Sequence, residues 1–327
     1  MTLRAVDGGV AGDGTRIRQA PIRPTHVSPG MRSAPTAMNP AVQRVTIDRV
    51  GPGASERCVD VTAVEEPLEI RLGGQPFAVI MRTPGADQAL AAGFLMAEQI
   101  VRHPADIASM RYCTDAVAPS GMGPGPSSPG DEPSEPEEGN VLTVWLTGDA
   151  AVRAAQAVAG KRHVTASSSC GVCGRRSIDD LLAGVRPIAG SFRVARAVVS
   201  AMPGRLRAAQ RAFDETGGLH AAALFDDTGT LQDTAEDVGR HNAVDKVLGR
   251  ALLAGRIPVS DAILFVSGRT SFEIVQKAAV AGVPVVASVS APSSLAVHLA
   301  QEAHVTLVGF VRGDTFNVYS VPERITP

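Results

Sequence analysis

From residue 219 to residue 310 the chain alternates short apolar runs with stretches of helical periodicity, and this rhythm restricts the fold more than any other feature. Residues 219–225, 262–266, 283–289 and 305–310 read as strands. Between and before them, 197–213, 241–253, 271–281 and 294–302 read as helices. Strands separated by helices of ten or so residues argue for a largely parallel sheet covered on both faces. Ligands of such sheets sit beyond the carboxyl ends of the strands. The loops after the apolar runs are therefore where chemistry is expected.

A second, smaller unit precedes this one. Residues 43–50 and 68–81 carry strand-like apolar patterns, the latter broken at Gly73-Gly74, a hairpin signal. Arg82-Thr83-Pro84-Gly85 turns the chain, Asp87 is placed to cap, and 89–100 has helical spacing. The expected organisation is a disordered tail over 1–41, a smaller α/β domain over 42–160 and a larger α/β domain over 161–327. A disordered insertion over 118–139 interrupts the smaller domain, since its Pro, Gly, Ser and acid leave too little apolar surface to offset the entropy of ordering.

With 327 residues, 44% of them apolar, the chain can bury two cores without staples. Lys and Arg number 31 against 33 Asp and Glu, so no global field favours nucleic acid or an anionic membrane, and any anion site must be local. No run of about eighteen apolar residues exists, and the N-terminus lacks the apolar segment of a secretory signal. Cys58, Cys113, Cys170 and Cys173 are too few for a secreted disulfide scaffold, so a reducing cytoplasm is the expected compartment.

The densest chemical feature is Ser167-Ser168-Ser169-Cys170-Gly171-Val172-Cys173-Gly174-Arg175-Arg176. A glycine after each cysteine opens the backbone, and flanking Lys161, Arg162, His163, Arg175 and Arg176 would favour a thiolate. Half of a zinc site needs two more ligands at suitable spacing, and no second C-x-x-C supplies them. A disulfide exchanger normally carries its C-x-x-C at the first helix of a compact fold. A deaminase zinc centre needs H-x-E and P-C-x-x-C, both missing here. The remaining reading is a cysteine that carries a persulfide sulfur and hands it on. Cys58 and Cys113 lack that basic, glycine-rich setting and read as small buried hydrophobes.

Four further clusters are candidates for holding a ligand. Glu236 to Lys246 concentrates polar groups where a helix begins, with Arg240 and His241 suited to an anion or a carbonyl, although caps and surface ion pairs would use the same residues. Ser267-Gly268-Arg269-Thr270-Ser271-Phe272-Glu273 follows a buried strand and reads as a phosphate corner with Ser267 and Arg269, without the lysine of a P-loop. A similar corner, 288–294, follows the next strand. In Gly309 to Asp314, which closes the last strand, Phe310 could stack a base or simply pack. His220, after Gly217-Gly218, reads as lining the site or satisfying a core hydrogen bond.

Together these stretches resemble the FdhD family of formate dehydrogenase accessory sulfurtransferases. The resemblance rests on Arg82-Thr83-Pro84-Gly85 with Gly93-Phe94-Leu95, Ser169-Cys170-Gly171-Val172-Cys173-Gly174, Thr216-Gly217-Gly218-Leu219-His220 and Glu236 through Lys246. It continues in Ser267 through Glu273, Ser290-Ala291-Pro292 and Gly309-Phe310-Val311-Arg312. It implies a cytidine-deaminase-like three-layer α/β/α larger domain beside the smaller one. It also implies that sulfur arrives as a persulfide from a cysteine desulfurase and passes to the molybdenum cofactor, bis-molybdopterin guanine dinucleotide, before insertion into formate dehydrogenase. On that resemblance Cys170 bears the persulfide, Cys173 is its partner, and Phe310, Val311, Arg312, Gly313, Asp314 and Thr315 match the cofactor-contacting segment. The molybdenum cofactor would be cargo with no permanently bound group, GDP would mimic its nucleotide half, and Arg175, Arg176, Arg240, Arg269 and Arg312 would hold phosphates. Two nucleotides on one cofactor suit a homodimer. From a different class, the chain would be a non-catalytic molybdenum-cofactor chaperone whose C-x-x-C only clamps metal.

Overall fold

Gly73 and Gly74, at φ 55° and 85°, close the hairpin expected there, in the computed structural model that describes residues 39–112, 139–161 and 186–327. The tail 1–38, Cys113, the acidic insertion as far as residue 138 and the loop with Cys170, Cys173, Arg175 and Arg176 lie outside the described residues. The described chain falls within a single unit, Asn39–Pro327.

The hairpin joins β3 (Glu66–Leu72) to β4 (Gln75–Arg82). With β5 (Ile107–Tyr112) and β6 (Val141–Leu146) they form a four-stranded sheet in the order β4-β3-β6-β5, in which β3 and β6 run parallel. Helix α1 (Asp87–Ala97) follows β4, and α2 (Gly148–Lys161) follows β6. Asp87 does not cap α1: Ala86 takes that position and the Asp87 carboxylate turns to Arg82, with Oδ2 2.8 Å from Nη2. Ahead of this sheet β1 (Val42–Gly51) and β2 (Ala54–Ala63) pair antiparallel as a ribbon, which carries Cys58. That cysteine is partly exposed, because a two-stranded ribbon has no interior to hide it in.

The larger sheet has the order β13-β12-β11-β10-β8-β9. Its members are β8 (His220–Phe225), β9 (Leu231–Asp237), β10 (Ile263–Val266), β11 (Val285–Ser288), β12 (Thr306–Arg312) and β13 (Thr315–Ser320). β10, β11 and β12 are parallel, while β8 and β13 run the other way, so the sheet is mixed and not simply parallel. The departure comes from two hairpins, β8–β9 and β12–β13, whose connections are too short for a crossover. β9 also pairs antiparallel to β8, so it points the same way as β10, β11 and β12.

Side chains alternate cleanly between the two faces of this sheet. Ala222, Leu224, Leu264, Val266, Val286 and Leu307 join one apolar cluster with α5 (Arg240–Leu253), α6 (Phe272–Ala281) and α7 (Ser294–Glu302). Ala221, Ala223, Phe225, Ile263, Phe265, Val285 and Ala287 join the other with α3 (Arg196–Ala209). Burial on both faces is why these strands read as unbroken apolar runs. The helix expected over 197–213 stops at Gln210, and a short α4 (Arg211–Thr216) follows. Two-residue strands β7 (Val194–Ala195) and β14 (Ile325–Thr326) pair beside these elements. The first cluster also takes Leu68, Ile70, Leu142 and Val144 of the smaller sheet and Leu90 and Leu95 of α1, so one core runs through both sheets.

No described helix is long and apolar enough to cross a membrane.

Candidate functional site

Because β9, β10, β11 and β12 point one way, the loops that leave their carboxyl ends emerge at one edge of the sheet, joined by the start of β8. Short bonds tie these loops together. Ala221 N–H donates to Ser267 Oγ at 2.8 Å and Ser267 N–H donates back to Ala221 O at 2.9 Å. Thr270 pairs with Pro292, its N–H reaching Ala291 O at 3.2 Å, and Phe310 N–H donates to Ser290 O at 3.1 Å. The clusters around Arg240, Ser267, Ser290 and Phe310, scattered over seventy-odd residues of sequence, thus meet on one edge.

His220 and Arg240 stand close over Gly268, where an added Cβ would sit 3.3 Å from His220 Nδ1 and 3.7 Å from Arg240 Cδ. His241, in the first turn of α5, has Nε2 3.0 Å from Ser271 Oγ and Nδ1 3.1 Å from Glu273 Oε2. Glu273 Oε1 in turn lies 3.4 Å from Lys277 Nζ, which makes 2.8 and 2.9 Å contacts with the two oxygens of Asp245. A line of ionisable groups therefore runs from the core to the edge. Arg240 Nε, Thr270 Oγ1 and Glu273 Oε2 are buried there without a hydrogen bond of good geometry.

Electrostatics follow from this crowding. Burial first, then Arg240, Lys277, His220 and Arg269, hold His241 down from 6.5 to about 3. Burial and Arg240 lower His220 as well. Burial raises Glu273 against the pull of Lys277. The unfolded chain protonates position 241 near the ordinary value and the folded chain only near 3, so His241 contributes stability above that window, lost as pH falls through it. His241→Gln is accordingly expected to lose less stability than the parent on acidification from 6.5 toward 3, the difference approaching about 1.4 kcal/mol per pH unit. Urea unfolding at a series of pH values measures it, and parallel curves for the two proteins would refute the assignment.

Not every candidate faces the edge. Asp237 is fully buried and accepts from Thr83 N–H at 3.2 Å, Gly239 N–H at 2.8 Å and Asn242 Nδ2 at 2.8 Å, with Lys246 Nζ 2.7 Å away. Glu236 accepts from Ala212 and Phe213 N–H at the start of α4. These residues fasten the Arg82-Thr83-Pro84 turn and α4 to the larger sheet, leaving Arg240 and His241 as the members of their cluster at the sheet edge. In the last candidate segment Arg312, Gly313, Asp314 and Thr315 are exposed in the β12–β13 turn, whereas Val311 is 1% exposed in the second core cluster. Phe310 is half-buried in the left-handed backbone region, φ 55°, and the Arg312 guanidinium stands 5.6 Å from its ring centroid. Arg269 is exposed beside the half-buried Ser267.

Ser271 and Glu273 fall inside the segment read from the sequence as a phosphate corner, where neither has a role of its own. Their signal was a Ser-x-Glu spacing at a helix start, one residue short of a capping box, which leaves both side chains for another purpose. Among the described residues no group of three or more His, Cys, Asp or Glu is arranged to hold a metal ion.

The FdhD/NarQ family model matches residues 63–326. Sulfur carrier protein FdhD of Streptomyces coelicolor is 46% identical over 291 residues, covering 88% of this chain and 97% of that protein. Its namesake in Anaeromyxobacter dehalogenans is 48% identical over 272 residues, covering 81% of this chain and 88% of that protein. A crystal structure assigned as a formate dehydrogenase accessory protein from Desulfotalea psychrophila superposes with TM-score 0.63 at 24% identity, covering 88% of this chain and all of that one, a likeness of fold. A family match running from the end of the β1–β2 ribbon nearly to the C-terminus, and so through every cluster gathered at the sheet edge, establishes that this chain belongs to the FdhD/NarQ family.

Proposed function

We propose that this chain is a sulfur carrier in formate dehydrogenase maturation, with Cys170 as the sulfur-bearing residue. The observation that supports it best is the 46–48% identity to proteins named sulfur carriers, in a chain that has the Ser169-Cys170-Gly171-Val172-Cys173-Gly174 sequence and brings Arg240, Arg269 and Arg312 to one sheet edge. In the loading step the Cys170 thiolate attacks the outer sulfur of a persulfide on a cysteine desulfurase. One S–S bond forms as another breaks, the donor leaves as a thiolate, and no external oxidant or reductant is required. Delivery is to the molybdenum cofactor, bis-molybdopterin guanine dinucleotide, as substrate. Arg240, Arg269 and Arg312 offer charge-assisted bonds to its phosphates, and the half-buried Phe310 face offers stacking to a base. A two-fold homodimer would match the two nucleotides of that cofactor.

Intact-mass spectrometry after incubation with a cysteine desulfurase and cysteine tests the loading step. One added sulfur atom, reversed by thiol and absent in Cys170→Ala, is expected; Cys173→Ala should retain it. Stoichiometric bound zinc without sulfur gain would favour the metal-clamping chaperone instead. Cys170→Ala that restored formate dehydrogenase activity in cells lacking the protein would refute the carrier role.

A further inference from the structure

Three hydroxyls stand at the corner between β10 and α6, and their settings differ. Ser267 Oγ accepts the Ala221 N–H at 2.8 Å, bound to the start of β8. Thr270 is fully buried and out of a ligand's reach. Ser271 occupies the N-cap of α6, with φ −88° and ψ 169°, yet its hydroxyl takes no first-turn amide. It lies instead 3.0 Å from His241 Nε2. The usual role of a capping serine has been set aside for the imidazole contact.

Which atom carries the proton between Ser271 and His241 follows from the other side of the ring. Nδ1 is 3.1 Å from Glu273 Oε2, a buried oxygen that no hydrogen bond of good geometry reaches, the imidazole's included. The Lys277 ammonium, 3.4 Å from Oε1, supplies a countercharge that favours the Glu273 anion against the burial that raises its pKa. A bare Nδ1 would aim its lone pair at that carboxylate, a repulsion in a poorly solvated place. A protonated Nδ1 turns the positive edge of the ring toward that oxygen at 3.1 Å and leaves Nε2 to accept. The doubly protonated ring is opposed by burial and by Arg240, Lys277, His220 and Arg269. With Nε2 bare, the Ser271 proton points inward and only the oxygen lone pairs are left for a ligand.

We infer that Ser271 is a hydrogen-bond acceptor toward the ligand of this edge, reading an N–H or O–H group and not a phosphate oxygen, with Glu273 the positioning residue that sets this polarity through His241. Resting on the ligand reading above, the inference divides the edge by chemistry. Arg240, Arg269 and Arg312 remain for anionic groups, while Ser271 selects for a donor such as a base N–H or a sugar hydroxyl. Glu273 sits in the first turn of α6, where its own charge already occupies the positive helix end and repels a phosphate.

Nitrogen NMR of the full chain with ring-labelled histidine, near neutral pH, reads the tautomer directly. His241 is expected with Nδ1 protonated and Nε2 bare. Glu273→Gln should keep that state, because its amide oxygen still accepts, whereas Glu273→Ala should release the ring toward the Nε2-protonated form. An Nε2-protonated ring in the parent protein would overturn the inference. Titration calorimetry with guanosine diphosphate and with inorganic pyrophosphate supplies the second readout. Ser271→Ala should weaken the nucleotide about tenfold and pyrophosphate less than about twofold, the difference being one hydrogen bond that only the nucleoside can donate. Equal weakening of both probes, or of neither, would overturn it. A parent chain that binds neither probe would instead refute the ligand reading of the edge, and the imidazole spectrum would still decide the polarity of Ser271.

Discussion

Lys277→Met is expected to lower the unfolding free energy by about 3–5 kcal/mol, a large share of the roughly 5–15 kcal/mol that holds a domain together. The lysine is 3% exposed and reaches both Asp245 oxygens, on α5, and one Glu273 oxygen, on its own helix α6. Burial pushes the Lys277 ammonium down, and Asp245 and Glu273 more than reverse the effect, so its pKa lies above the ordinary value. Removing it strands Asp245, whose carboxyl burial already raises from 3.8 to about 7 against the pull of Lys277. Without the lysine the carboxyl rises further, and a raised carboxyl gives stability at low pH that is lost as pH climbs through its folded value. The deficit of Lys277→Met should therefore be larger at about pH 8 than at about pH 5. Adding Asp245→Asn should recover part of the loss, since an uncompensated charge costs more than a missing pair. Urea melts with unchanged slope measure all three variants. A single variant within about 1 kcal/mol of the parent would show that the pair is dispensable.

The same pair explains what the sequence made legible and what it hid. Strands β10, β11 and β12 announce themselves because burial on both faces leaves mostly apolar residues between their turns. The Gly73-Gly74 hairpin is equally plain, because two consecutive residues at positive φ demand glycine. β9 went unread: in Leu231–Asp237 only Ala235 and Asp237 are buried, and its polar side chains are held by partners remote in sequence. Arg250 Nε meets Asp233 at 2.8 Å and Lys246 Nζ meets Asp237 at 2.7 Å, contacts that exist only once α5 has folded back along the strand. The carboxylates of Glu236 and Asp237, counted among the polar groups of that cluster, tie down backbone amides instead. The meeting of the Ser267 and Ser290 corners is legible from strand order, since carboxyl ends of co-directed strands share an edge, whereas that of Arg240 is not, because it follows the unread β9. The pairing of Ser271 with His241 is not legible either, because it depends on side-chain directions across thirty residues that no local pattern encodes.

Gly249→Ala, although the smallest change a glycine can undergo, is expected to cost about 3 kcal/mol or more. Helices α1 and α5 cross so closely that a Cβ at 249 would lie 1.8 Å from Ala89 O and 2.7 Å from Gly93 N. A Cβ at Gly93 would likewise lie 2.0 Å from Asp245 O. Both obstacles are backbone, which cannot rotate away, so the helices must part. Parting them withdraws α5 from Thr83, to which Lys246 Nζ bonds at 2.8 Å, and shifts the first turn that presents Arg240 and His241 at the sheet edge. Loss of stability and weaker nucleotide binding should consequently appear together. The double variant with Gly93→Ala should cost less than the two single losses combined, because helices already separated admit the second methyl cheaply. Gly204, inside α3, is the contrast: nothing lies within 4 Å of its would-be Cβ, and alanine there should stabilise by about 0.4–1 kcal/mol through the unfolded chain and helix propensity. If Gly249→Ala and Gly204→Ala unfolded alike, the close crossing would not be what fixes α5, and the placement of Arg240 and His241 would need another cause.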